Sequence, residues 1–389
     1  MMPMEIAPGI YDVGATDWIV RDFHGYKTER GASYNSYLIV DEKICLVDTV
    51  KACYADELLE KIRRVADPAK IDYVVVNHVE PDHAGALPEV LKAAPNAKFV
   101  ITMQGKNEAL RHYGDGFDFM VVKEGDKISL GSRELTFVPM PMLHWPDNMV
   151  TYCPQDGILF SNDAFGQHYA SSKRFDDEVD EYVLFYEAKK YFANILWPYA
   201  FLIGGALKKA SALDIKMIAP AHGVIWRSKI AQILEKYAAW GTGVNGKSVV
   251  IAYDTMWGGT EALARAMVEG AAAAGVKVQL MRMDRTPCST VAAELFEAGG
   301  LLVGSPTLNS GMMPTIGGML VYLKGLQPKG KKAAAFGTCG WAGGAQKDME
   351  AMLTAGGFDL QPGFNCKWRA CVDETEAARQ FAYEFAKNL

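Results

Sequence analysis

The stretch NHVEPDHAG, residues 77–85, sets four potential metal ligands, His78, Glu80, Asp82 and His83, within six positions. It follows YVVVN (Tyr73–Asn77), a β-branched run that reads as a short buried strand, and precedes a helical pattern at Ala86–Ala94. A loop leaving a rigid strand holds ligands in register better than a free loop does. The plainer alternative is a polar loop that caps the next helix, with Asp82 as N-cap. That accounts for Asp82 and leaves both histidines unexplained.

Working outward, the chain has only seven histidines. His144 lies in MLHWPDN, just past ELTFVPMP, and His222 lies in APAHG, just past IKMIAP. Asp163, in LFSNDAFG, ends another apolar run. His78, His144, Asp163 and His222 therefore each sit at or just past the C-terminal end of a predicted strand. One sheet edge that collects imidazoles and carboxylates is how a two-metal site is assembled. His112, in a helix-like context, and His168, in a Gly-bearing loop past Asp163, read as structural. The remaining pattern of this half is mixed. A strand pair, SYLIV and ICLVD, lies within Gly31–Asp48. Strands follow at Phe99–Thr102, Glu134–Pro139, Met149–Tyr152 and Gly157–Ser161, with a helix at Ala55–Val65.

A helix predicted over Ser228–Trp240 closes this half, and GTGVNGKS (Gly241–Ser248) reads as a linker. Beyond it the alternation is regular. VVIAYD, VKVQLMRM, GLLVGSP and KKAAAFG are strands, with helices between them and a last helix over Thr375–Asn388. Strand–helix alternation implies a doubly wound parallel sheet. The length of 389 residues suits two or three domains, and the boundary is expected near 245, giving domains 1–245 and 246–389.

The first strand of the second half runs into Thr255, Met256, Trp257, Gly258, Gly259 and Thr260, then into a helix. Backbone N–H groups at such a turn, with two hydroxyls, can cradle a phosphate. The loop is neither GxxxxGK[ST] nor GxGxxG, which disfavours nucleoside triphosphates and dinucleotides. Alone it is equally a tight strand–helix turn. SPTLNSG (Ser305–Gly311) and GTCGWAGG (Gly337–Gly344) follow the third and fourth strands, at the sheet edge where open α/β folds bind ligands.

Half the residues are apolar and 22% are charged, the balance of a globular protein. A net charge of −6 lacks the basic surplus of a nucleic-acid binder. The seven cysteines form no CxxC pair, so zinc ribbons and rubredoxin-type sites are absent. No signal peptide or membrane-length apolar run is evident, so a cytoplasmic protein with free thiols and no membrane partner is expected.

HxExDH, followed by a His, an Asp and a last His, resembles the flavodiiron proteins of the metallo-β-lactamase superfamily. The superfamily usually has HxHxDH. Glu80 in the second position makes the site harder and more anionic, which suits iron better than zinc. The resemblance implies an N-terminal metallo-β-lactamase-like αββα sandwich (α+β) and a C-terminal flavodoxin-like doubly wound parallel sheet (α/β). It also implies a non-haem diiron centre. His78, Glu80 and His144 would hold one iron, Asp82 and His222 the other, and Asp163 would bridge; His83 either binds metal or turns away. The segment FHGY…GASYNSY resembles a family stretch that would set His24 and Tyr26 near the distal face of the irons, as catalytic residues.

The three later loops resemble those that hold FMN in flavodoxins. Thr255–Thr260 would take the phosphate. Ser305, Pro306, Thr307, Leu308 and Asn309, with Gly337, Thr338, Cys339, Gly340 and Trp341, would surround the isoalloxazine ring, flanked by Trp257 and Trp341. Asn309-Ser310 stands where the family commonly has Asn-Asn, and Ala342 where it commonly has Ser. The implied activity is reduction of O2 to water, of NO to N2O, or both. Electrons would pass through FMN from rubredoxin or another small donor, or from an F420-type donor. A head-to-tail homodimer, or a dimer of dimers, is implied, as is the short form of the family, ending at Leu389. Two other readings stand beside it: a zinc hydrolase with an accessory flavodoxin domain, and a flavin electron carrier with a non-catalytic metal site.

Overall fold

Short strands buried on both faces build the first two sheets. Ile39, Val47, Val75 and Val100 point from one sheet into a common core with Phe137, Met149, Ile158, Phe160 and Ala219 of another. Their neighbours Leu38, Leu46 and Val74 are as deeply buried, and by strand alternation face the other way. A sheet hidden on both faces needs a further layer, and helices such as Ala55–Arg63, which buries Leu58, Leu59 and Ile62, supply apolar faces for it. The outcome is the expected sandwich. In this computed structural model, which describes residues 2–389, the first sheet runs Met4–Ala7, Ile10–Asp12, Tyr37–Val40, Ile44–Val47, Ile71–Val75, Lys98–Ile101, Asp118–Val121. The second runs Lys127–Ser129, Glu134–Pro139, Met149–Cys153, Ile158–Asn162, Met217–Pro220.

The later sheet is parallel throughout, in the order Lys277–Arg282, Gly246–Tyr253, Ala298–Pro306, Lys332–Cys339, Asp359–Leu360, with Phe364–Lys367 also paired to Lys332–Cys339. The strand order reverses beside the first strand, as in flavodoxin-like folds, and places the binding crevice at the strand ends there. Val250 and Ala252 pack with helices Cys288–Glu297, Pro314–Leu326 and Ala345–Ala355. Val249, Ile251 and Tyr253 pack with Gly259–Ala273 and Val372–Lys387.

Contacts divide the chain into two compact units. One comprises the chain up to Arg21, Thr28–Tyr191 and Phe201–Ala238; the other comprises Asp22–Lys27, Phe192–Ala200 and Ala239–Leu389. The divide thus passes within the helix Ile230–Thr242. The linker expected over Gly241–Ser248 is a correction. Helix continues to Thr242 and strand begins at Gly246, so only Gly243–Asn245 connects them. That connector is pinned: buried Lys331 Nζ donates to Val244 O (2.9 Å), Asn245 Oδ1 (3.1 Å) and Ala298 O (2.7 Å). Glycine content suggested slack where a buried cation supplies anchorage.

The helix-like context of His112 is a helix over Met103–Tyr113 whose extent was not evident in the sequence, and the helix over Glu181–Tyr191 was not expected at all. The first buries only Gly105 and Ala109, too little apolar surface to leave a periodic signal. Among the described residues no helix is long and apolar enough to cross a membrane, and all seven cysteines are free.

Candidate functional site

The residues expected to bind metal meet at one edge of the sandwich. Strand Ile71–Val75 delivers His78, and Pro81–Ala84 is a single helical turn. Its N-cap is Glu80, with no side-chain capping bond. The capping explanation of Asp82 therefore fails: the carboxylate points into the cluster instead. His144 follows Glu134–Pro139, Asp163 ends Ile158–Asn162, and His222 follows Met217–Pro220.

Asp163 divides its two oxygens between two groups. Oδ2 lies 3.8 Å from His78 Nε2 and 3.5 Å from His144 Nε2, and Glu80 Oε2 lies 3.5 and 3.2 Å from the same two nitrogens. Oδ1 lies 3.2 Å from His222 Nε2 and 3.6 Å from His83 Nε2. Asp82 is 3.1 Å from His222 Nε2 through Oδ2 and 3.3 Å from His83 Nε2 through Oδ1. Two cation-sized sets result, one around His78, Glu80, His83 and Asp163 and one around Asp82, His83 and His222, with ligand atoms in each within 4.8 Å of one another; His144 belongs to neither set and borders the first through Glu80 and Asp163.

The chemistry of these atoms fits metal. His78 Nε2, Asp82 Oδ1, His83 Nε2 and Asp163 Oδ2 are buried without hydrogen bonds, a costly arrangement unless something else binds them. Two of the imidazoles are held from behind, while His83 has neither ring nitrogen hydrogen-bonded. Asp147 accepts from His78 Nδ1 (2.8 Å) and from Val79 N–H (2.8 Å), and Ser33 O accepts from His222 Nδ1 (2.8 Å). Those acceptors assign the Nδ1–H tautomers and turn both Nε2 lone pairs inward. Tyr191 Oη donates to Asp163 Oδ1 (2.9 Å).

Electrostatics say the same. Burial pushes the Glu80 carboxyl up, but His144 and His78 overrule it and hold it at about 2. Burial pushes His144 and His222 down, yet the carboxylates facing them raise both to about 9. Asp163 is held well below the usual carboxylate range despite burial, by His83, His144 and His222. Without metal the site holds its carboxylates ionised by keeping protons on imidazoles, and a cation takes the place of those protons. His168, by contrast, is pushed down to about 3 by burial and by His222. It packs its ring on Tyr191 and His222, 5.1 and 5.2 Å away.

Sequence reading missed the supports. Asp48 accepts from Asn77 N–H (2.8 Å), Asn77 Nδ2 (3.0 Å) and Asn162 Nδ2 (3.2 Å), and Thr151 Oγ1 donates to Asn77 Oδ1 (2.7 Å). Asp48 and Asn162 adopt left-handed φ of 55° and 53°, strain that a buried network can impose. This network ties together the residues just before His78 and Asp163. Asp147 lies in HWPDN, three positions past His144, but nothing local links it to His78. Asp147→Ala is expected to weaken metal binding by roughly 10–100-fold, read by competition with a coloured chelator.

His24 and Tyr26 belong to neither cation set. They lie on a hairpin of Asp22–Phe23 with Tyr26–Lys27, grouped with the second unit, where Lys27 N–H donates to Ser289 Oγ (3.1 Å).

In the second unit a cavity of about 430 Å³ opens at the strand ends. Of the expected residues, Thr255, Met256, Trp257, Gly259, Pro306, Thr307, Leu308, Asn309, Thr338, Cys339, Gly340 and Trp341 line it. Gly258, Thr260, Ser305 and Gly337 do not. Gly258 (φ 80°) starts the helix, its N–H donating to Thr255 Oγ1 (3.1 Å). Thr260 Oγ1 bonds Thr338 Oγ1 (3.2 Å). Ser305 Oγ accepts from Met313 N–H (2.9 Å). A Cβ on Gly337 would lie 2.0 Å from Ser305 O. These four shape the wall from behind.

Asn309 and Ser310 both take positive φ, 49° and 62°, in a turn closed by paired Leu308–Gly311 bonds, the geometry in which Asn is favoured. Trp368, unforeseen, also lines the cavity, its ring 5.7 Å from Trp341. No lining residue is Lys or Arg, so an anionic ligand is held by backbone N–H groups, hydroxyls and the helix end.

Comparison with known proteins agrees with both halves. A family model described as ODP family beta lactamase matches residues 32–223, and a flavodoxin model matches 251–381. A nitric oxide reductase of Moorella thermoacetica is 46% identical over 394 residues, covering 100% of this chain and 99% of that protein. The flavodiiron protein of Giardia intestinalis superposes with a TM-score of 0.98 at 38% identity, over 100% and 96% of the two chains. Rubredoxin oxygen:oxidoreductase of Desulfovibrio gigas gives 0.96 at 39%, over 100% and 98%. The chain belongs to the flavodiiron proteins.

Proposed function

We propose that this protein reduces NO to N2O, O2 to water, or both, at a diiron centre fed with electrons through FMN. The division of Asp163 between two ligand sets carries this reading. A single carboxylate whose oxygens face different imidazoles is placed to bridge two cations, which lie roughly 3.5–4 Å apart in such sites. His78, Glu80 and His144 would hold one iron, Asp82 and His222 the other. His83, facing both Asp82 and Asp163, is positioned to bind as well.

The iron pair supplies two electrons and open positions for a diatomic molecule, and FMN supplies two more. Four electrons and four protons convert O2 to two waters; two of each convert two NO to N2O and water. The chain's part is to hold and insulate. Glu80, Asp82 and Asp163 bring three negative charges to balance the metals. Asp147 and Ser33 O keep the imidazoles oriented, and Tyr191 offers its hydroxyl proton to Asp163. In the flavin cavity Thr255, Gly259 and Thr338 would meet the phosphate, and Trp341 and Trp368 the ring. His24 and Tyr26 are proposed as residues beside the bound diatomic. Rubredoxin, named in the Desulfovibrio relative, is the proposed kind of donor. A head-to-tail homodimer is the proposed assembly, and the cytoplasm the proposed location.

Anaerobically purified protein should contain about two irons and one FMN per chain, by elemental analysis and visible absorbance. It should then consume NO or O2 when reduced. Zinc without flavin would overturn the redox reading.

A further inference from the structure

Alternate residues of the run GASYNSY (Gly31–Tyr37) meet the loop that carries His222. Ser33 Oγ accepts from Gly223 N–H (2.7 Å), Asn35 N–H donates to Ala221 O (2.7 Å), and Tyr37 Oη donates to Pro220 O (2.7 Å). The Asn35 side chain donates twice more, from Nδ2 to Pro220 O (2.9 Å) and to Gly223 O (2.9 Å). Pro220 precedes His222 in the chain and Gly223 follows it, so one NH2 group ties the turn on both sides of the histidine. Both neighbours of that group are carbonyl oxygens, which fixes the orientation of the amide, since only its NH2 end can donate to them. Ser33, Asn35 and Tyr37 are all buried. Tyr34, between them, sets its ring edge-on to the His222 imidazole, 6.0 Å away.

We propose that Asn35, assisted by Tyr37, is the positioning residue for His222, and that it governs metal occupancy on the Asp82–His222 side of the cluster separately from the His78 side. The inference rests on the diiron reading above. His222 Nδ1 is held by a backbone acceptor, Ser33 O (2.8 Å). The place of the ring therefore depends on how firmly the main chain around Ser33 is locked to the main chain of Pro220–Gly223. Asn35 and Tyr37 supply that lock. His78 is held differently, by the side chain of Asp147, and the residue before it by Asp48 and Thr151. The two imidazoles are thus located by separate sets of residues. His222 Nε2 lies 3.1 Å from Asp82 Oδ2 and 3.2 Å from Asp163 Oδ1. Metal–ligand distances tolerate only about 0.2 Å of error, so a slackened turn withdraws His222 from the metal and leaves the His78 side in place. Asn35 itself touches neither metal nor substrate.

The test is iron loading of the full-length apoprotein without oxygen, then desalting, elemental analysis, and electron paramagnetic resonance after oxidation. Two coupled ferric ions cancel each other's spin, whereas a lone high-spin ferric ion gives a signal. Asn35→Asp keeps the shape of the side chain and turns both donors into acceptors that face carbonyl oxygens. It should weaken one of the two iron-binding steps by roughly 10–100-fold, the effect of losing an outer-shell partner. The variant should then retain about one iron where the wild type retains about two, show the lone-ion signal, and keep its flavin. A general loss of structure would lower both iron-binding steps together and show no such half-loaded state. Tyr37→Phe, which removes a single donor and keeps the ring, should weaken the same step by less. Two coupled irons in Asn35→Asp, or both irons lost together from a folded protein, would overturn the inference and leave the diiron reading intact. If Asn35→Asp does not fold, Tyr37→Phe decides, and an unchanged second step overturns the inference. A wild-type protein that loads no iron pair overturns both, and that failure shows before any substitution is made.

Discussion

In Asp163→Asn, metal content and gas reduction should fall by at least ~100-fold, the upper end of the effect of losing an outer-shell partner, because a ligand is lost outright. Flavin content should not change. The amide keeps the shape but replaces one carboxylate oxygen with an NH2 that repels a cation. Because Oδ2 faces His78 and His144 while Oδ1 faces His83 and His222, one substitution is expected to disturb both sides of the cluster, whereas His144→Ala removes an imidazole from the Oδ2 side only. Asp163 also accepts from Tyr191 Oη, so the amide disturbs that bond as well. Elemental analysis and flavin absorbance on the same sample decide the matter. An Asp163→Asn protein with two irons and full activity would refute the metal assignment.

Gly337→Ala should damage the other site with equal selectivity. Strands Ala298–Pro306 and Lys332–Cys339 are hydrogen-bonded neighbours at the mouth of the flavin cavity. A Cβ on Gly337 would stand 2.0 Å from Ser305 O, and that obstacle is backbone. Relief requires the two strands to part where Pro306 and Thr338 form the wall. A cost of about 3 kcal/mol or more is expected, at the top of the range for overpacking. It would lower the melting temperature of the flavodoxin unit by roughly 6–12 °C. FMN should bind at least ~10-fold more weakly while iron remains, measured by fluorescence titration of flavin into the apoprotein. Gly258→Ala is the contrasting case: a Cβ there meets nothing within 4 Å, and the cost is only that of φ 80°.

Both outcomes depend on residues that the sequence displays unequally. That these side chains gather was legible because they are rare types set after apolar runs: His78, His144, Asp163 and His222 each carry a local signal. The flavin loops were legible because glycines and hydroxyls gather where strands end. The regular alternation past residue 248 made the parallel sheet plain for the same reason, since helix and strand periods differ. Asp147, Asp48 and Trp368 carried no such signal. Each matters through a partner 27 or more positions away in sequence, and a lone Asp or Trp has many bland uses.

The placement of Asp22–Lys27 and Phe192–Ala200 with the second unit is of the same kind. So is the pinning of Gly243–Asn245 by Lys331. The sequence by itself determined which side chains were available, at which strand ends, and therefore the class of both sites. Only the tertiary structure decided which oxygen of Asp163 faces which histidine, and that Asp147 and Ser33 hold His78 and His222 from behind. Those are distances between residues far apart in the chain, set by how two sheets pack, and no local pattern encodes them.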